Sequence, residues 1–227
     1  MIKKSHPLFW ILSPTYKLAE IVKSELLSQN DGKTKLTAGI KKFNETYFWT
    51  TVLFAGAIGF LFKQEYYGHE LNRFINYVVC VPLGLFFFSR AFEILKAFLD
   101  DAVDKLNHGP SASALGYGDR LVLAFRSYLE LLVGFGVFYY ILPAWLFKYG
   151  ESTTQFTNII QAIYFSGVTI TTVGYGDISP THWFTQFLIV FQVFCGLTLA
   201  LVSFTVYTGL ALATSKPSSD EKSDDNR

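Results

Sequence analysis

The chain alternates between polar segments and long runs of apolar residues. A membrane-spanning helix needs about 20 mostly apolar residues to cross the hydrocarbon core of a bilayer. Four runs reach that length: residues 43–62, 74–95, 121–147 and 184–213. The pattern therefore predicts an all-α membrane protein with four transmembrane helices.

A fifth apolar run, Ile159–Ile170, has a different character. It is too short to cross, and polar side chains such as Gln161 and Ser166 interrupt it. This length suits a re-entrant helix that enters the membrane and returns to the same side. Thr157 or Asn158 is the expected N-cap, because either side chain can accept a hydrogen bond from a free backbone N–H group.

The segment before the first run, residues 1–42, is mixed in character and rich in lysine. Ser13 followed by Pro14 is typical of a helix start, and apolar residues recur on one face as far as Gln29. Asp31 and Gly32 then end this helix. We expect a cytoplasmic N-terminal segment whose amphipathic helix lies on the membrane surface, packs on partner subunits, or is simply an ordered N-terminal helix.

Positive charge indicates the orientation of the runs. Of the 19 Lys and Arg residues, three lie in the two loops that follow the first and third runs. Because positively charged loops stay in the cytoplasm, both termini are predicted to be cytoplasmic. Residues 43–106 would then hold two peripheral transmembrane helices, residues 107–213 a second pair with the short run between them, and residues 214–227 a disordered cytoplasmic tail.

Composition agrees with a membrane location. Apolar residues make up 51% of the chain and charged residues 16%, against about 25% charged in an average soluble domain. A net charge of +1 offers no field that would attract nucleic acid. The sequence shows no nucleophile–base pair and no metal-binding spacing of cysteines, so we expect no enzyme activity, no cofactor and no nucleic-acid partner.

The short run is followed by the motif Thr171-Thr172-Val173-Gly174-Tyr175-Gly176-Asp177. With residues 162–180, it resembles the pore helix and selectivity filter of the potassium-channel family. The resemblance implies that K⁺ is the permeant ion and is held by the backbone carbonyls of the filter. The ion-binding residues would be these five: Thr172, Val173, Gly174, Tyr175 and Gly176.

The residue types fit that role. Successive carbonyls can point at one axis only with backbone angles that most L-residues avoid, and Gly174 and Gly176 reach them without a Cβ penalty. The hydroxyl of Thr172 would add an inner ring of oxygens. One chain supplies one quarter of each ring, so the resemblance implies a homotetramer around a central pore.

The last run corresponds to the inner helix of that family. Gly196 stands at a similar point to a glycine that acts there as a hinge, although a small residue for close helix packing is the equal alternative. Phe204 is a candidate for a hydrophobic constriction that closes the pore by losing water, and Thr208 is expected to line its cytoplasmic mouth.

The sequence also departs from the family. Many members carry a pore-helix glutamate that pairs with the aspartate after the filter, and here that position is Val168. Asp177 then needs another partner, and Tyr164 is the candidate for supporting it. No run carries Arg or Lys at every third position, as a voltage-sensing helix would. Arg90 with Glu93 and Arg126 with Glu130 are instead predicted to pair near the membrane surface.

Taken together, the sequence predicts a potassium-selective channel in the plasma membrane (the inner membrane, if the source is bacterial), passing the bilayer several times in contact with lipid. Two alternatives stay open. One is a non-conducting structural or regulatory membrane subunit that keeps the fold. The other is a potassium transporter subunit, although transporters of that type usually carry four degenerate pore loops in one long chain.

Overall fold

The computed structural model of the chain describes residues 13–61, 78, 81–107, 113–150, 155–209 and 212, and these are mostly helical. The α-helices, in chain order, are α1 (Pro14–Leu27), α2 (Gly32–Leu61), α3 (Val81–Leu106), α4 (Tyr117–Ile141), α5 (Ile159–Ile170) and α6 (Trp183–Val202). The predictions for residues 1–12, for most of 74–80 and for the tail 214–227 lie outside the described residues.

Helix α1 begins as its sequence predicts. The Ser13 hydroxyl caps it by accepting a hydrogen bond from the Tyr16 N–H, and Pro14 takes the first helical position. The same hydroxyl donates to the Ser89 carbonyl at 2.7 Å, and Thr15 bonds the Ser89 hydroxyl at 2.9 Å. This buried hydroxyl cluster fixes the start of α1 against α3.

Helices α2 and α3 extend beyond the ends of their apolar runs. Helix α2 starts at Gly32, so the predicted boundary between residues 42 and 43 falls inside one continuous helix. Helix α3 continues past residue 95 to Leu106. Both extensions lack proline. Residues 32–42 contain four Lys, and residues 96–106 contain two each of Lys, Leu and Ala, all of which favour helix. The apolar runs therefore mark only part of each helix.

The third helix is shorter than predicted. Helix α4 ends at Ile141, whereas the apolar run extends to Phe147. Leu142 has an extended backbone because Pro143 follows it, and proline disfavours a helical conformation in the residue before it. The chain then forms a single 3₁₀ turn, Ala144–Leu146, and the strand β1, Phe147–Tyr149.

Strand β1 pairs antiparallel with β2, Ile178–Pro180, so that Lys148 lies opposite Ser179. This two-stranded ribbon joins the segment after α4 to the segment before α6. The Thr181 N–H extends it by donating to the Leu146 carbonyl at 3.0 Å.

The last apolar run also changes character along its length. Helix α6 is α-helical to Val202 and then becomes a π-helix over Ser203–Thr208. The predicted span of 184–213 is thus not one uniform α-helix.

In the described part of the chain, two helices are long and apolar enough to cross a membrane: Tyr117–Ile141 and Trp183–Leu201. Helix α3 carries Arg90, Glu93 and Lys96, and the first half of α2 is rich in lysine. A topology of four spans therefore stays a prediction.

Aromatic side chains fill the core between α3, α4, α5 and α6. Phe191 of α6 stacks on Phe92 of α3 with ring centroids 4.8 Å apart, and it also contacts Phe88 and Phe135. A second group, Tyr139, Phe147, Phe156 and Phe165, packs edge to face around the outer side of α5. Helix α5 is thereby held among the other helices.

Candidate functional site: the segment after the short helix

The short helix α5 has the residue bounds that the apolar pattern predicts, Ile159–Ile170. Asn158 is its N-cap, because the Asn158 carboxamide oxygen accepts from the Gln161 N–H at 2.9 Å. The Gln161 carboxamide oxygen in turn accepts from the Thr157 N–H at 2.8 Å. These reciprocal bonds use donors that would otherwise be unpaired at the helix start.

The motif segment is bound to the C-terminal end of α5. The Val168 carbonyl accepts from the N–H groups of Val173 at 3.0 Å and Gly174 at 3.4 Å, and the Thr169 carbonyl accepts from the Thr172 N–H at 2.9 Å. No described peptide bond is cis, so each carbonyl points away from the N–H of its own peptide unit. The carbonyls of Thr171, Thr172 and Val173 therefore face away from α5.

The backbone alternates in handedness along the same segment. Thr172, Gly174 and Gly176 have positive φ angles of 60°, 55° and 79°. A left-handed residue at every second position reverses alternate peptide planes, so successive carbonyls turn toward one side instead of alternating as they do in a β-strand. The two glycines adopt the conformation that the sequence predicts for them. The left-handed Thr172 was not expected, since a β-branched residue rarely adopts this conformation.

Two apolar side chains of the motif segment are exposed in the single chain. Val173 is 54% exposed and Tyr175 is 68% exposed. The Tyr175 ring lies parallel to the Tyr164 ring, with centroids 6.4 Å apart and planes 9° apart. This ring contact joins Tyr164 of α5 to the motif segment, while no hydrogen bond joins the described Tyr164 and Asp177. Supporting roles of Tyr164 and of Asp177 stay predictions.

The β-ribbon holds the far end of the segment. Ile178, directly after the motif, is buried and pairs with Tyr149. Burial raises the pKa of the Tyr149 phenol to about 12, so this group stays neutral at physiological pH. The motif is thus attached to α5 at one end and to the ribbon at the other.

Three glycines, one on each neighbouring helix, let α5 approach closely. A Cβ at Gly136 of α4 would lie 2.7 Å from the Ile163 Cα. A Cβ at Gly196 of α6 would lie 2.4 Å from Ile170 Cγ1, and one at Gly59 of α2 would lie 2.6 Å from Ile159 Cγ2. The contact at Gly196 is the one that the close-packing alternative requires, and its role as a hinge stays a prediction.

A buried hydrogen-bond chain that the sequence pattern did not predict joins α5 to two other helices. Gln192 of α6 donates to the Ser166 carbonyl at 3.1 Å and to the Ser166 hydroxyl at 2.6 Å. Its oxygen accepts from the Tyr139 hydroxyl of α4 at 2.7 Å, and the Ser166 hydroxyl donates to the Leu132 carbonyl at 2.7 Å. Gln192 itself is the sequence feature that could have indicated this contact, since it lies inside an otherwise apolar run. A polar side chain at such a position needs hydrogen-bond partners.

The two remaining candidates, Phe204 and Thr208, lie in the π-helical turn that follows α6. Thr208 is the last residue of the π-helical turn and is exposed. The backbone of Phe204 is part of the same turn, and its side chain lies outside the described residues. Their roles at a constriction stay predictions.

The predicted ion pairs are rearranged and buried. Arg90 bonds Glu93 on its own helix, with Nη1 and Oε1 2.7 Å apart, as the sequence predicts. The partner of Glu130, however, is Arg90, with Nε and Oε1 2.7 Å apart, and not Arg126. All three side chains of this cluster are buried, and the Tyr47 ring covers the Arg90 guanidinium at 4.1 Å. The pairing was missed because Arg90 and Glu130 are on different helices.

The π-helical turn after α6 is also joined to other helices. The Tyr207 hydroxyl of this turn donates to Asp101 of α3 at 2.7 Å, and Arg120 of α4 bonds the other oxygen of Asp101. This contact links the region of Thr208 to α3 and α4.

Chemically, the motif segment presents a row of backbone oxygens and no charged side chain before Asp177. Neutral oxygens of this kind can replace the water around a desolvated cation. Within the described residues, no group of three or more His, Cys, Asp or Glu side chains could hold a metal ion.

Comparison with known proteins agrees with this description. Residues 127–212, less than half of the chain, match the model of a protein family described as ion channel. The match covers most of α4 together with α5, the motif segment and α6. It supports an ion channel family and, in general terms, an ion channel function. With the two apolar helices it indicates a membrane protein. No solved structure matches the chain.

Proposed function

We propose that the protein is a potassium-selective channel that conducts K⁺ passively through a filter formed by residues 172–176. The proposed channel is a homotetramer of four-span subunits in the plasma membrane, surrounded by lipid and with both termini in the cytoplasm. K⁺ is its permeant ion, and the proposal requires no cofactor.

The alternating backbone handedness at Thr172, Gly174 and Gly176 is the observation that carries this proposal. In the same segment, the N–H groups of Thr172, Val173 and Gly174 bond carbonyls at the end of α5. The carbonyls of the segment itself are therefore free to act as ligands. Helix α5 ends beside the segment and brings the negative end of its dipole there, which favours a cation in a medium of low dielectric constant. Both features stabilise a cation without using a charged side chain.

A ring of oxygens requires more than one chain. The exposed Val173 and Tyr175 side chains would be covered by neighbouring subunits in an assembled pore. Large apolar groups are also exposed on one side of α6, including Val190, Phe194 and Leu201. Lipid or a second copy of α6 would cover these groups.

Ion flux through reconstituted protein tests the proposal. Liposomes are loaded with K⁺ or with Na⁺, and the uptake of a reporter cation is followed with and without external Ba²⁺. The proposed channel gives Ba²⁺-sensitive uptake with internal K⁺ and little uptake with internal Na⁺. Equal flux of both ions would contradict potassium selectivity.

A matched pair of glycine variants assigns the flux to the filter. Gly174→Ala places a side chain on a residue with φ of 55°, whereas Gly167→Ala adds a Cβ that meets only Leu132 Cδ1 at an ordinary 3.7 Å. The left-handed conformation costs an L-residue about 1–2 kcal/mol, so we expect K⁺ flux to fall at least about tenfold in Gly174→Ala. Gly167→Ala should conduct as the unmodified protein does.

If neither K⁺ nor Na⁺ gives flux, the protein is either a channel with a closed pore or a subunit that does not conduct. A closed pore should open when its constriction is removed, so flux restored by Phe204→Ala would keep the channel proposal. Continued silence of that variant in a folded, tetrameric preparation would favour a non-conducting structural or regulatory subunit.

A further inference from the structure

Gln192 is a fully buried polar residue in the middle of the apolar helix α6. Both hydrogens of its amide nitrogen have acceptors on Ser166, and its oxygen has a donor in Tyr139. The three residues belong to α6, α5 and α4, and all three are fully buried. The hydrogen bonds of the Gln192 amide therefore join α6 to both α5 and α4.

Directional bonds have a particular effect inside a membrane. Apolar side chains pack equally well against lipid tails and against one another, so apolar contact does little to select one rotation of a helix. The glycine contacts at Gly136 and Gly196 bring α5 close to its neighbours but do not alone set its rotation about its own axis. The bonds of Ser166 to Gln192 and to the Leu132 carbonyl do so.

The rotation of α5 determines the position of the filter. Ser166 lies two residues before Val168, whose carbonyl binds the N–H groups of Val173 and Gly174. Because both residues belong to the same turn of a rigid helix, a displacement of Ser166 moves the Val168 carbonyl with it. The filter backbone then loses the acceptor that turns its own carbonyls away from α5.

We propose that Gln192 is a positioning residue for selectivity, which acts through Ser166 and α5 on the filter backbone. It touches no ion. This inference rests on the proposed function for its effect on ion selectivity, whereas its effect on the filter backbone can be measured independently of conduction.

The test compares Gln192→Met with Ser127→Ala in the purified full-length protein. Methionine keeps the length of the side chain and loses its bonds. Ser127 is a buried polar residue of α4 whose hydroxyl accepts from the Asn44 carboxamide of α2 at 2.8 Å, and this contact lies on neither α5 nor the β-ribbon. Ser127→Ala therefore controls for the general cost of removing a buried polar group.

Two quantities are measured for each variant. The first is hydrogen–deuterium exchange in the peptide that contains residues 171–177, and the second is the K⁺ to Na⁺ permeability ratio in liposomes. In Gln192→Met we expect filter exchange to be about tenfold faster and the permeability ratio about tenfold lower, each equivalent to about 1.4 kcal/mol. Ser127→Ala should leave both quantities unchanged, even where it lowers the melting temperature.

A second variant keeps the test decisive if Gln192→Met does not fold. Tyr139→Phe removes only the hydroxyl that bonds Gln192 and retains the ring that packs on Phe165. It should change exchange and selectivity in the same direction and to a smaller extent. Filter exchange equal to that of Ser127→Ala, in each of the two variants that folds, would overturn the inference.

The two proposals fail in different ways. If the unmodified protein does not conduct K⁺ selectively, the proposed function fails, and the exchange measurement still decides whether Gln192 positions the filter backbone. If the unmodified protein conducts selectively and both variants retain its exchange and its selectivity, the positioning role alone is wrong.

Discussion

Thr172 differs from the two other left-handed residues of the motif because it is β-branched. Its φ of 60° lies in the left-handed region that favours glycine, and the branched Cβ makes this conformation strained. Backbone strain of this kind costs about 1–3 kcal/mol. The bonds at the Thr172, Val173 and Gly174 N–H groups maintain this backbone. In the proposed filter, the Thr172 hydroxyl would add a ring of oxygen ligands, and this role would offset the strain of the backbone.

Separate changes to the methyl and the hydroxyl of Thr172 test this reasoning. Thr172→Ser keeps the oxygen and relieves the branching, so K⁺ flux and Ba²⁺ block should remain within about twofold of the unmodified protein. Thr172→Val keeps the shape and removes one oxygen per subunit, so Ba²⁺ block should weaken at least about tenfold. Concentration series of external Ba²⁺ in the liposome assay measure both effects.

The neighbouring threonine provides the control. The Thr171 hydroxyl bonds the Gly167 carbonyl at 2.7 Å and is therefore used within the end of α5. Thr171→Val should leave Ba²⁺ block as it is. Equal weakening in Thr171→Val and Thr172→Val would show that the hydroxyl of Thr172 has no special role as a ligand.

At the scale of secondary-structure elements, α5 is positioned by its neighbours more than by its own sequence. It has 12 residues, and isolated helices of this length are only marginally stable in water. Isoleucines along its length contact glycines on α2, α4 and α6. Close backbone approach increases dispersion contacts, which are the main attraction between helices in a membrane. The glycines of the flanking helices therefore set how closely α5 approaches those helices.

Gly196→Ala distinguishes the two roles that the sequence leaves open for this residue. A Cβ there would lie 2.4 Å from Ile170 Cγ1, and such overpacking costs about 1–3 kcal/mol. We expect the melting temperature to fall by about 2–4 °C for each kcal/mol. If packing is the role of Gly196, the same change should cost much less in an Ile170→Ala background, where the opposing atoms are absent.

A double-mutant cycle of melting temperatures makes this comparison, with Gly209→Ala as the control because nothing lies within 4 Å of its Cβ position. A hinge at Gly196 would instead give the same effect in both backgrounds, together with altered channel opening. An equal cost with and without Ile170 would therefore reject the packing explanation.

At the scale of the whole molecule, local patterns were predictable and distant pairings were not. The bounds of α5 and the positive φ angles at Gly174 and Gly176 depend on neighbouring residues, and the sequence predicts them. It also narrows the N-cap to Thr157 or Asn158, of which the structure has Asn158. The bond between Gln192 and Ser166 and the pair of Arg90 with Glu130 join different helices. Their geometry depends on how the helices pack, which periodicity does not specify.

Assembly is the property of the whole molecule that follows from the proposed filter and that a single chain cannot display. If four chains share each ring of oxygens, K⁺ binds only to the assembled form and stabilises it by mass action. At a K⁺ concentration of 100 times the dissociation constant, this linkage is worth about 2.7 kcal/mol. The tetramer should therefore dissociate at a higher temperature in K⁺ than in Na⁺ at equal ionic strength, as measured by light scattering on the purified protein after stepwise heating.

The filter variants separate this specific linkage from a general effect of salt. In Gly174→Ala the strained backbone should weaken K⁺ binding, so the difference between K⁺ and Na⁺ should shrink, while Gly167→Ala should retain it in full. A tetramer that dissociates at the same temperature in both salts, or a protein that is monomeric throughout, would contradict shared coordination. A difference that persists in Gly174→Ala would locate the stabilising cation outside residues 172–176, because the rest of the chain is the same in both variants.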